Sequence, residues 1–233
     1  MGGPKKIGVL GGTFDPPHWA HVRLAAHFAS VFQLDQLLLI PSGQPWQKNA
    51  EITSAEIRHQ LTLAAAKALA RVLCDTGIAT RIAVDRMELD RPGPSYAIDT
   101  ATEIRQRFGA DACIIWLMGS DSLMHLDTWH DWQRLLEQVH LAVASRPGSP
   151  FHIDTSPLGQ WIQGHQTPNA HDLENKPSGF IYLDRHLDID LSSTLLRQRL
   201  KEKTPDRQGL LAEQIPPEVL AEVVNLGLYS QSR

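Results

Sequence analysis

A chain of 233 residues is long enough to bury a full hydrophobic core, and its 42% apolar and 21% charged residues are typical of a soluble globular protein. The formal net charge of −4, without a basic run, gives no electrostatic case for nucleic-acid binding, and no apolar run approaches membrane-spanning length. Cys74 and Cys113 lie in apolar surroundings and are interpreted as small buried thiols of a reducing compartment. We therefore expect a cytoplasmic protein with no nucleic-acid and no membrane partner.

Apolar runs of strand type alternate with helical patterns along the first 144 residues. The predicted strands are Lys6–Leu10, Gln36–Ile40, Arg81–Val84, Cys113–Met118 and His140–Ala144. The predicted helices are Trp19–Phe32, Ser54–Leu73, Tyr96–Phe108 and Trp129–Gln138. Such alternation is typical of a parallel sheet covered by helices on both faces. The expected fold class is therefore α/β with a doubly wound parallel sheet, whose ligands bind beyond the carboxyl ends of the strands.

The composition changes after the fifth predicted strand. Residues 148–179 are rich in Pro, Gly, Asn, His and Gln, which predicts a long surface excursion rather than a separate domain. Phe180–Leu183 follows as a last strand, and Ser192-Ser193-Thr194 is typical of an N-cap before a helix at Leu195–Leu200. A final helix is predicted to start near Pro216-Pro217 and to end before Gly227. We expect one domain at 1–233, with a helical C-terminal segment at 192–229.

The most informative segment joins the first predicted strand to the first helix. It reads Gly11-Gly12-Thr13-Phe14-Asp15-Pro16-Pro17-His18-Trp19-Ala20-His21. Glycines at a helix N-terminus permit close backbone approach to an anion, and Thr13 adds a hydroxyl donor. His18 and His21 share one face if the helix has begun by then. A zinc-binding helical pair would carry a Glu between its histidines and a third ligand, so we interpret these two as phosphate donors. A plain tight turn is the simpler alternative.

This string resembles the signature of the HxGH-type nucleotidylyltransferase superfamily, in the version typical of bacterial nicotinate-nucleotide adenylyltransferases. Ala20 stands where other members usually have Gly. A second stretch, Leu191-Ser192-Ser193-Thr194-Leu195-Leu196-Arg197, resembles the Ile-Ser-Ser-Thr-x-x-Arg motif that binds the pyrophosphate end of ATP. Hydroxyl donors at a helix N-terminus with an Arg one turn along suit a triphosphate, although an ordinary helix cap is the alternative for this stretch alone.

Further segments resemble the nucleotide-binding parts of the same family. Gly119-Ser120-Asp121-Ser122 is similar to its Gly-x-Asp-Ser segment, in which the carboxylate accepts from ribose hydroxyls; a helix N-cap is the alternative. Ser145-Arg146-Pro147-Gly148 matches an Arg-Pro-Gly segment and implies that Arg146 lies near the adenosine side, with a surface turn as the alternative.

The acceptor side of the family also has counterparts. Leu126-Asp127-Thr128-Trp129-His130 resembles the nicotinate-binding loop, where Trp129 suits stacking on the pyridine ring; a core Trp is the alternative. Pro94 to Thr100 resembles a Pro-Ser-Tyr-Thr-x-Asp-Thr stretch, with Ala97 in place of the usual Thr. Lys48 is a candidate for a substrate phosphate or a solvated loop residue, and Trp46 replaces a common His.

The resemblance implies a Rossmann-like enzyme that transfers AMP from ATP to nicotinate mononucleotide, giving deamido-NAD and pyrophosphate. Mg²⁺ would be bound through the ATP phosphates, with no protein metal site. The implied catalytic residues are His18, His21, Thr13 and Arg197. The implied ATP-binding residues are Gly11, Gly12, Thr13, Phe14, His21, Gly119, Asp121, Arg146, Ser193, Thr194 and Arg197. The implied mononucleotide-binding residues are Lys48, Tyr96, Trp129 and His130. The alternatives are a nicotinamide-mononucleotide or phosphopantetheine adenylyltransferase, or a catalytically silent nucleotide sensor on the same fold.

Overall fold

The computed structural model describes residues 3–45, 52–145, 151, 153–187, 196 and 207–229. Within them, seven strands form one sheet in which every pairing is parallel. The strands are β1 Lys6–Gly12, β2 Gln36–Pro41, β3 Arg81–Val84, β4 Cys113–Gly119, β5 His140–Ala144, β6 Gln166–Thr167 and β7 Ile181–Asp184. The helices are α1 Trp19–Phe32, α2 Ala55–Asp75, α3 Met87–Asp90, α4 Ala97–Phe108, α5 Ser120–Met124, α6 Leu135–Gln138, α7 Pro157–His165, α8 Arg207–Gln214 and α9 Pro217–Asn225. Short 3-10 helices lie at Leu126–Thr128, Trp132–Arg134 and Ala170–Asn175.

The strands are arranged in the order β3-β2-β1-β4-β5-β7-β6. The alternation of apolar strands and helices therefore predicted the α/β, doubly wound parallel sheet correctly, and all five strands expected in the first 144 residues are present. The last predicted strand is displaced by one residue and runs over Ile181–Asp184. Helix α1 has the predicted bounds.

Side chains from alternate strand positions form a separate core on each face of the sheet. On one face, Ile114, Trp116 and Met118 of β4 are buried in the cluster that includes Ile98 and Ile104 of α4. On the other face, alternate β4 residues are buried in the cluster that also contains apolar residues of α1 and α2. The alternation follows from the two-residue period of a strand, and apolar residues at every position permit burial on both faces.

One predicted helix is wrong. The stretch Trp129–Gln138 is not continuous, because Trp129 has extended backbone angles (φ −79°, ψ 145°) and Asp131 takes a left-handed conformation with φ 48°. A 3-10 helix follows at Trp132–Arg134, and α6 contains only Leu135–Gln138. The apolar spacing that suggested one helix instead reflects packing, since Trp129 and Trp132 both lie against the core cluster that buries Leu135.

The segment 148–179 also differs from the predicted surface excursion over the part that the structure describes. Ser156 caps α7 by accepting a hydrogen bond from the backbone N–H of Gly159 at 3.1 Å. Leu158 and Ile162, spaced four residues apart on α7, are buried in the core. Strand β6 then pairs with β7 at the edge of the sheet. The polar composition of this segment conceals the few apolar residues that attach it to the protein.

The C-terminal helices pack on the outer side of α2. The cluster there includes Leu61 and Ala65 of α2 with Val219 and Val223 of α9. Gly227 has φ +61° and follows the end of α9, as the sequence predicted. The helix predicted at Leu195–Leu200 lies outside the described residues except for Leu196, which is buried in the same cluster.

The two cysteines differ in burial. Cys113 is buried, whereas Cys74 is exposed near the end of α2, so its predicted burial is wrong. Among the described residues, no helix is both long and apolar enough to span a membrane.

Candidate active site

The order of strands reverses between β1 and β4. From β1 the chain proceeds outward through β2 and β3, while β4 pairs with the other side of β1. Parallel sheets bind ligands outside the carboxyl ends of their strands at such a reversal. Gly11 and Gly12 end β1, Gly119 ends β4, and Asp121 lies in the first turn of α5 directly after it. The sheet therefore brings these four predicted ATP-binding residues together at the carboxyl ends of β1 and β4.

The turn after β1 is closely packed. A Cβ atom on Gly11 would lie 3.1 Å from the ring of Trp116, and one on Gly12 would lie 3.2 Å from the ring of Phe14. Phe14 has φ 51° and is only 2% exposed. Its side chain is therefore part of the core, and a contact between Phe14 and a nucleotide has to come from its backbone. Thr13 remains partly exposed beside the sheet edge.

His18 and His21 meet at the start of α1. Helix α1 begins at Trp19, so His18 is its N-cap with extended backbone angles, and His21 is the third helical residue. Their ring centroids lie 3.9 Å apart, and the backbone N–H of His18 donates to Nδ1 of His21 at 3.2 Å. A ring nitrogen that accepts a hydrogen bond carries no proton, so neutral His21 presents Nε2–H as its donor. His18 is 3% exposed, and His21 is partly exposed.

This arrangement favours a bound anion. The first turn of α1 directs backbone N–H groups outward at the positive end of the helix dipole, and it contains no acidic side chain. The expectation that the two histidines share one face holds although the helix starts one residue later than His18, because the N-cap position still places its ring against that of His21.

Arg58 of α2 connects three loops around the site and was not anticipated from the sequence. It is 1% exposed, and its guanidinium donates to the carbonyl oxygens of Thr53 at 2.9 Å, Thr13 at 3.0 Å and Gly43 at 3.0 Å. Burial lowers the pKa of Arg58, and the nearby carboxylate of Asp15 opposes this shift. A cation three positions before Leu61, on the buried side of a helix, is the signal that could have revealed this role.

The loop after β2 is fixed against the residues that precede α4. The Oγ atom of Ser95 accepts from the backbone N–H groups of Gly43 at 3.0 Å and Gln44 at 3.1 Å, and the N–H of Ser95 donates to the carbonyl oxygen of Gln44 at 3.1 Å. A Cβ atom on Gly43 would lie 1.9 Å from the carbonyl oxygen of Glu88, so only glycine fits there. These contacts hold the residue before Tyr96 close to the carboxyl end of β2.

Glu88 is a buried acid beneath this loop. Burial raises the pKa of its carboxyl, while hydroxyl donors from Thr100 and Ser95 act in the opposite direction. The Thr100 hydroxyl donates to Oε1 of Glu88 at 2.7 Å and accepts from Arg91 at 3.0 Å. The network therefore supports the loop from below.

Three of the four predicted mononucleotide-binding residues lie near one another. The rings of Tyr96 and His130 are stacked, with centroids 4.3 Å apart and an angle of 29° between their planes. Trp129, next to His130 in the chain, is partly buried against the same core cluster as Tyr96. The side chain of His130 is 52% exposed. Tyr96, Trp129 and His130 therefore form an aromatic surface near the start of α4, beside the carboxyl ends of the strands.

Lys48, Arg146, Ser193, Thr194 and Arg197 lie outside the described residues, as does Trp46. Within the described ranges, no group of three or more His, Cys, Asp or Glu residues is arranged to hold a metal ion.

A family model described as cytidylyltransferase-like matches residues 9–199, which contain the whole sheet beyond the first residues of β1. The chain belongs to the cytidylyltransferase-like family. Curated proteins with similar sequences are named nicotinate-nucleotide adenylyltransferases, the group that the Gly11–His21 segment resembles. A probable nicotinate-nucleotide adenylyltransferase of Herminiimonas arsenicoxydans is 37% identical over 198 residues, covering 84% of this chain and 85% of the relative. A second from Klebsiella pneumoniae is 35% identical over 222 residues and covers 95% of both chains. The family resemblance inferred from the motifs is therefore confirmed.

Solved structures share the cytidylyltransferase-like fold. The nicotinic acid mononucleotide adenylyltransferase of Plasmodium falciparum complexed with NaAD has a TM-score of 0.65 at 16% identity, covering 97% of each chain. A putative nicotinate-nucleotide adenylyltransferase from Vibrio parahaemolyticus has a TM-score of 0.59 at 16% identity, covering 98% of this chain and 97% of the other. At this identity the likeness concerns the fold, and it agrees with the predicted Rossmann-like sheet.

Proposed function

We propose that the protein transfers AMP from ATP to nicotinate mononucleotide, producing nicotinate adenine dinucleotide (deamido-NAD) and pyrophosphate in NAD biosynthesis. The observation that carries this proposal is the His18–His21 pair, with ring centroids 3.9 Å apart at the N-terminus of α1 and beside the reversal of strand order. The choice of acceptor is supported by the relatives named above, which are 35–37% identical to this chain. The cytoplasmic location stays a prediction from composition.

The proposed reaction is a direct in-line displacement. A phosphate oxygen of the mononucleotide attacks the α-phosphorus of ATP and forms a new P–O bond. The bond from the α-phosphorus to the bridging oxygen breaks, and that oxygen leaves with its electron pair on pyrophosphate. The protein then needs to position the two nucleotides and to stabilise the negative charge that develops.

His18, His21 and Thr13 are proposed to donate to the α- and β-phosphate oxygens, together with backbone N–H groups of Gly11, Gly12 and Phe14. Nε2–H of His21 is suited to this role because Nδ1 already accepts from the N-cap. Gly119 and Asp121 are proposed to bind the ribose of ATP and Arg146 its adenosine side.

The departing pyrophosphate is assigned to Ser193, Thr194 and Arg197. Leu196, between them in the chain, is buried against the outer side of α2, the helix that also carries Arg58. Because Arg58 contacts Thr13, this burial supports the convergence of the two phosphate motifs. Mg²⁺ is proposed to arrive with ATP, held by phosphate and water oxygens, which is the ligand set that Mg²⁺ prefers in nucleotide sites.

The acceptor is proposed to lie against the aromatic surface near α4. Trp129, Tyr96 and His130 would contact the pyridine ring and its carboxylate, and Lys48 would bind the acceptor phosphate. Replacing Trp129 with Ala is expected to weaken binding of nicotinate mononucleotide far more than binding of a non-hydrolysable ATP analogue. Trp132→Ala is the matched control, because Trp132 packs on the same core and on Trp161 with ring centroids 4.8 Å apart. Calorimetry on both ligands checks this. If Trp129→Ala weakened binding of the mononucleotide and of the ATP analogue equally, Trp129 would be a core residue with no specific role in acceptor binding.

The direct test of the function is incubation of the protein with ATP and Mg²⁺ and, in separate reactions, nicotinate mononucleotide, nicotinamide mononucleotide or phosphopantetheine. Product masses identify the dinucleotide formed. We expect efficient formation of nicotinate adenine dinucleotide with release of pyrophosphate. Preferential turnover of another acceptor would assign a different adenylyltransferase activity, and ATP binding without pyrophosphate release would indicate a nucleotide sensor.

A further inference from the structure

Tyr229, which follows the end of α9, contacts the turn that precedes His18. Asp15 in this turn is 1% exposed, and its Oδ1 atom accepts a hydrogen bond from the hydroxyl of Tyr229 at 2.5 Å. Its Oδ2 atom accepts from the backbone N–H of Thr53 at 3.2 Å. A buried carboxylate needs such donors, because leaving one of its oxygens without a partner is costly in a protein interior.

A second contact joins the same two regions on the other side of His18. Nε1–H of Trp19, the first residue of α1, donates to the carbonyl oxygen of Ala212 in α8 at 3.4 Å. The C-terminal segment therefore contacts the chain both before and after the N-cap histidine. In sequence, Asp15 and Tyr229 are 214 positions apart, and Trp19 and Ala212 are 193 positions apart.

Tyr229 is held in place by a packed pair of helices. Val219 and Val223 of α9 are buried against α2, and Leu228 and Tyr229 pack on the same cluster. The backbone N–H of Leu228 donates to the carbonyl oxygen of Val223 at 3.0 Å, which fixes the chain just after α9. Helix α2 also carries Arg58, whose guanidinium donates to the carbonyl oxygen of Thr13. Tyr229 packs on the cluster formed by α2 and α9, and Arg58 is part of α2, so both side chains that contact the turn are positioned by α2.

The three nitrogen atoms of Arg58 donate to carbonyl oxygens of Thr53, Thr13 and Gly43. Its charge favours the Asp15 carboxylate at a distance, but these bonds commit the guanidinium to the backbone of the loops. The hydroxyl of Tyr229 is placed differently, since it acts on the side chain of Asp15 itself.

We propose that Tyr229 is a positioning residue, whose hydroxyl fixes Asp15 and through it the turn that presents Thr13, His18 and His21 to the phosphates of ATP. This inference rests on the proposed function for its catalytic consequence. Its physical basis is that a shift of about 1 Å in reacting groups lowers turnover by up to about a hundredfold. The C-terminal segment then completes the phosphate-binding turn in addition to covering α2.

Tyr229→Phe tests the proposal because it removes the hydroxyl and keeps the ring that packs on α9. Tyr182→Phe is the matched control: Tyr182 lies on β7, and its ring packs edge-on against Phe32 of α1 rather than against the turn. We expect Tyr229→Phe to lower kcat about tenfold with KM for the mononucleotide unchanged, and to accelerate hydrogen exchange selectively in residues 11–21. Tyr182→Phe should change neither property.

A double-variant comparison separates positioning from packing. Asp15→Ala removes both oxygens that accept hydrogen bonds at this position, so if the hydroxyl acts through Asp15, adding Tyr229→Phe to Asp15→Ala should lower kcat no further than Asp15→Ala alone. Independent, multiplicative losses would contradict the proposal. So would a Tyr229→Phe variant with wild-type kcat and wild-type exchange in residues 11–21, or one in which exchange rises equally throughout the protein. Failure of the wild type to produce a dinucleotide, with selective acceleration of exchange still present in Tyr229→Phe, would reject the proposed function and retain the positioning role.

Discussion

Three substitutions of His21 should separate its two roles, because one ring nitrogen caps the helix and the other is proposed to bind phosphate. Asn places its side-chain oxygen near the position of Nδ1 and keeps an acceptor for the backbone N–H of His18, which now donates at 3.2 Å. Gln places its amide N–H near the position of Nε2 and gives up that acceptor. Ala removes both groups.

The magnitudes follow from these contacts. Loss of a capping acceptor lowers the free energy of unfolding by about 1 kcal/mol, so His21→Ala and His21→Gln should be destabilised by that amount and His21→Asn much less. Loss of one transition-state donor lowers turnover by about a hundredfold to a thousandfold, equivalent to about 3 to 4 kcal/mol, so His21→Asn and His21→Ala should lose activity to this extent. His21→Gln should retain more activity than either.

Urea unfolding and steady-state rates of pyrophosphate release measure the two effects separately. His27→Asn in the same helix is the control, since its Nε2 atom lies 2.8 Å from buried Asp184, away from the turn. That variant should lose stability and keep turnover. The reasoning is refuted if His21→Asn retains wild-type turnover, or if turnover in the three variants follows their stability.

Three other predictions concern the support of the site and the pH dependence of stability. Arg58→Met leaves three carbonyl oxygens without their donor and should lower the free energy of unfolding by about 3 kcal/mol. The control Arg71→Met, at an exposed position of α2, should hardly change the urea midpoint. Equal midpoints for the two variants would contradict the role of Arg58. Gly43→Ala should lower Tm and weaken mononucleotide binding, because the added Cβ atom would lie 1.9 Å from the carbonyl oxygen of Glu88. The control Gly164→Ala should do neither, because its added Cβ atom would have no neighbour within 4 Å. Unchanged Tm and binding in Gly43→Ala would contradict the close approach. Burial lowers the pKa of His140 from 6.5 to about 4, so the unfolded chain binds more protons between these values and stability falls as the pH decreases through this range. Unfolding free energies at pH 7 and pH 5 should differ by about 2 kcal/mol more in the wild type than in His140→Asn, and an identical pH dependence would overturn this assignment.

The sheet could be predicted from the sequence because its strands are short, apolar and separated by amphipathic helices. Burial on both faces makes such strands conspicuous, as at Cys113–Gly119. Prediction failed where local pattern and backbone conformation disagreed. The apolar spacing from Trp129 to Leu136 fits a helix, but the left-handed conformation of Asp131 interrupts it. Helix α7 was missed because only two of its nine residues, Leu158 and Ile162, supply buried apolar side chains larger than glycine.

The candidate site divides in a similar way. His18, His21 and the two glycines all lie within one short segment, residues 11–21, so their chemistry and spacing could be interpreted without a structure. Tyr96 and His130 were predicted through resemblance, and their stacking brings them together. The supporting contacts of Arg58 and Asp15 could not be predicted, because their partners lie up to 45 and 214 residues away and no local pattern specifies such pairs. Arg58 was recognisable only as a charged residue on an otherwise apolar helix face.

The two outer strands of the sheet, β3 with four residues and β6 with two, are as short as or shorter than every other described strand. Outer strands expose unpaired backbone groups that can recruit a strand from another molecule. Short outer strands expose few such groups, and the longer, more apolar β4 lies at the centre of the sheet. The architecture therefore reduces the backbone surface through which this apolar sheet can pair edge to edge with another molecule.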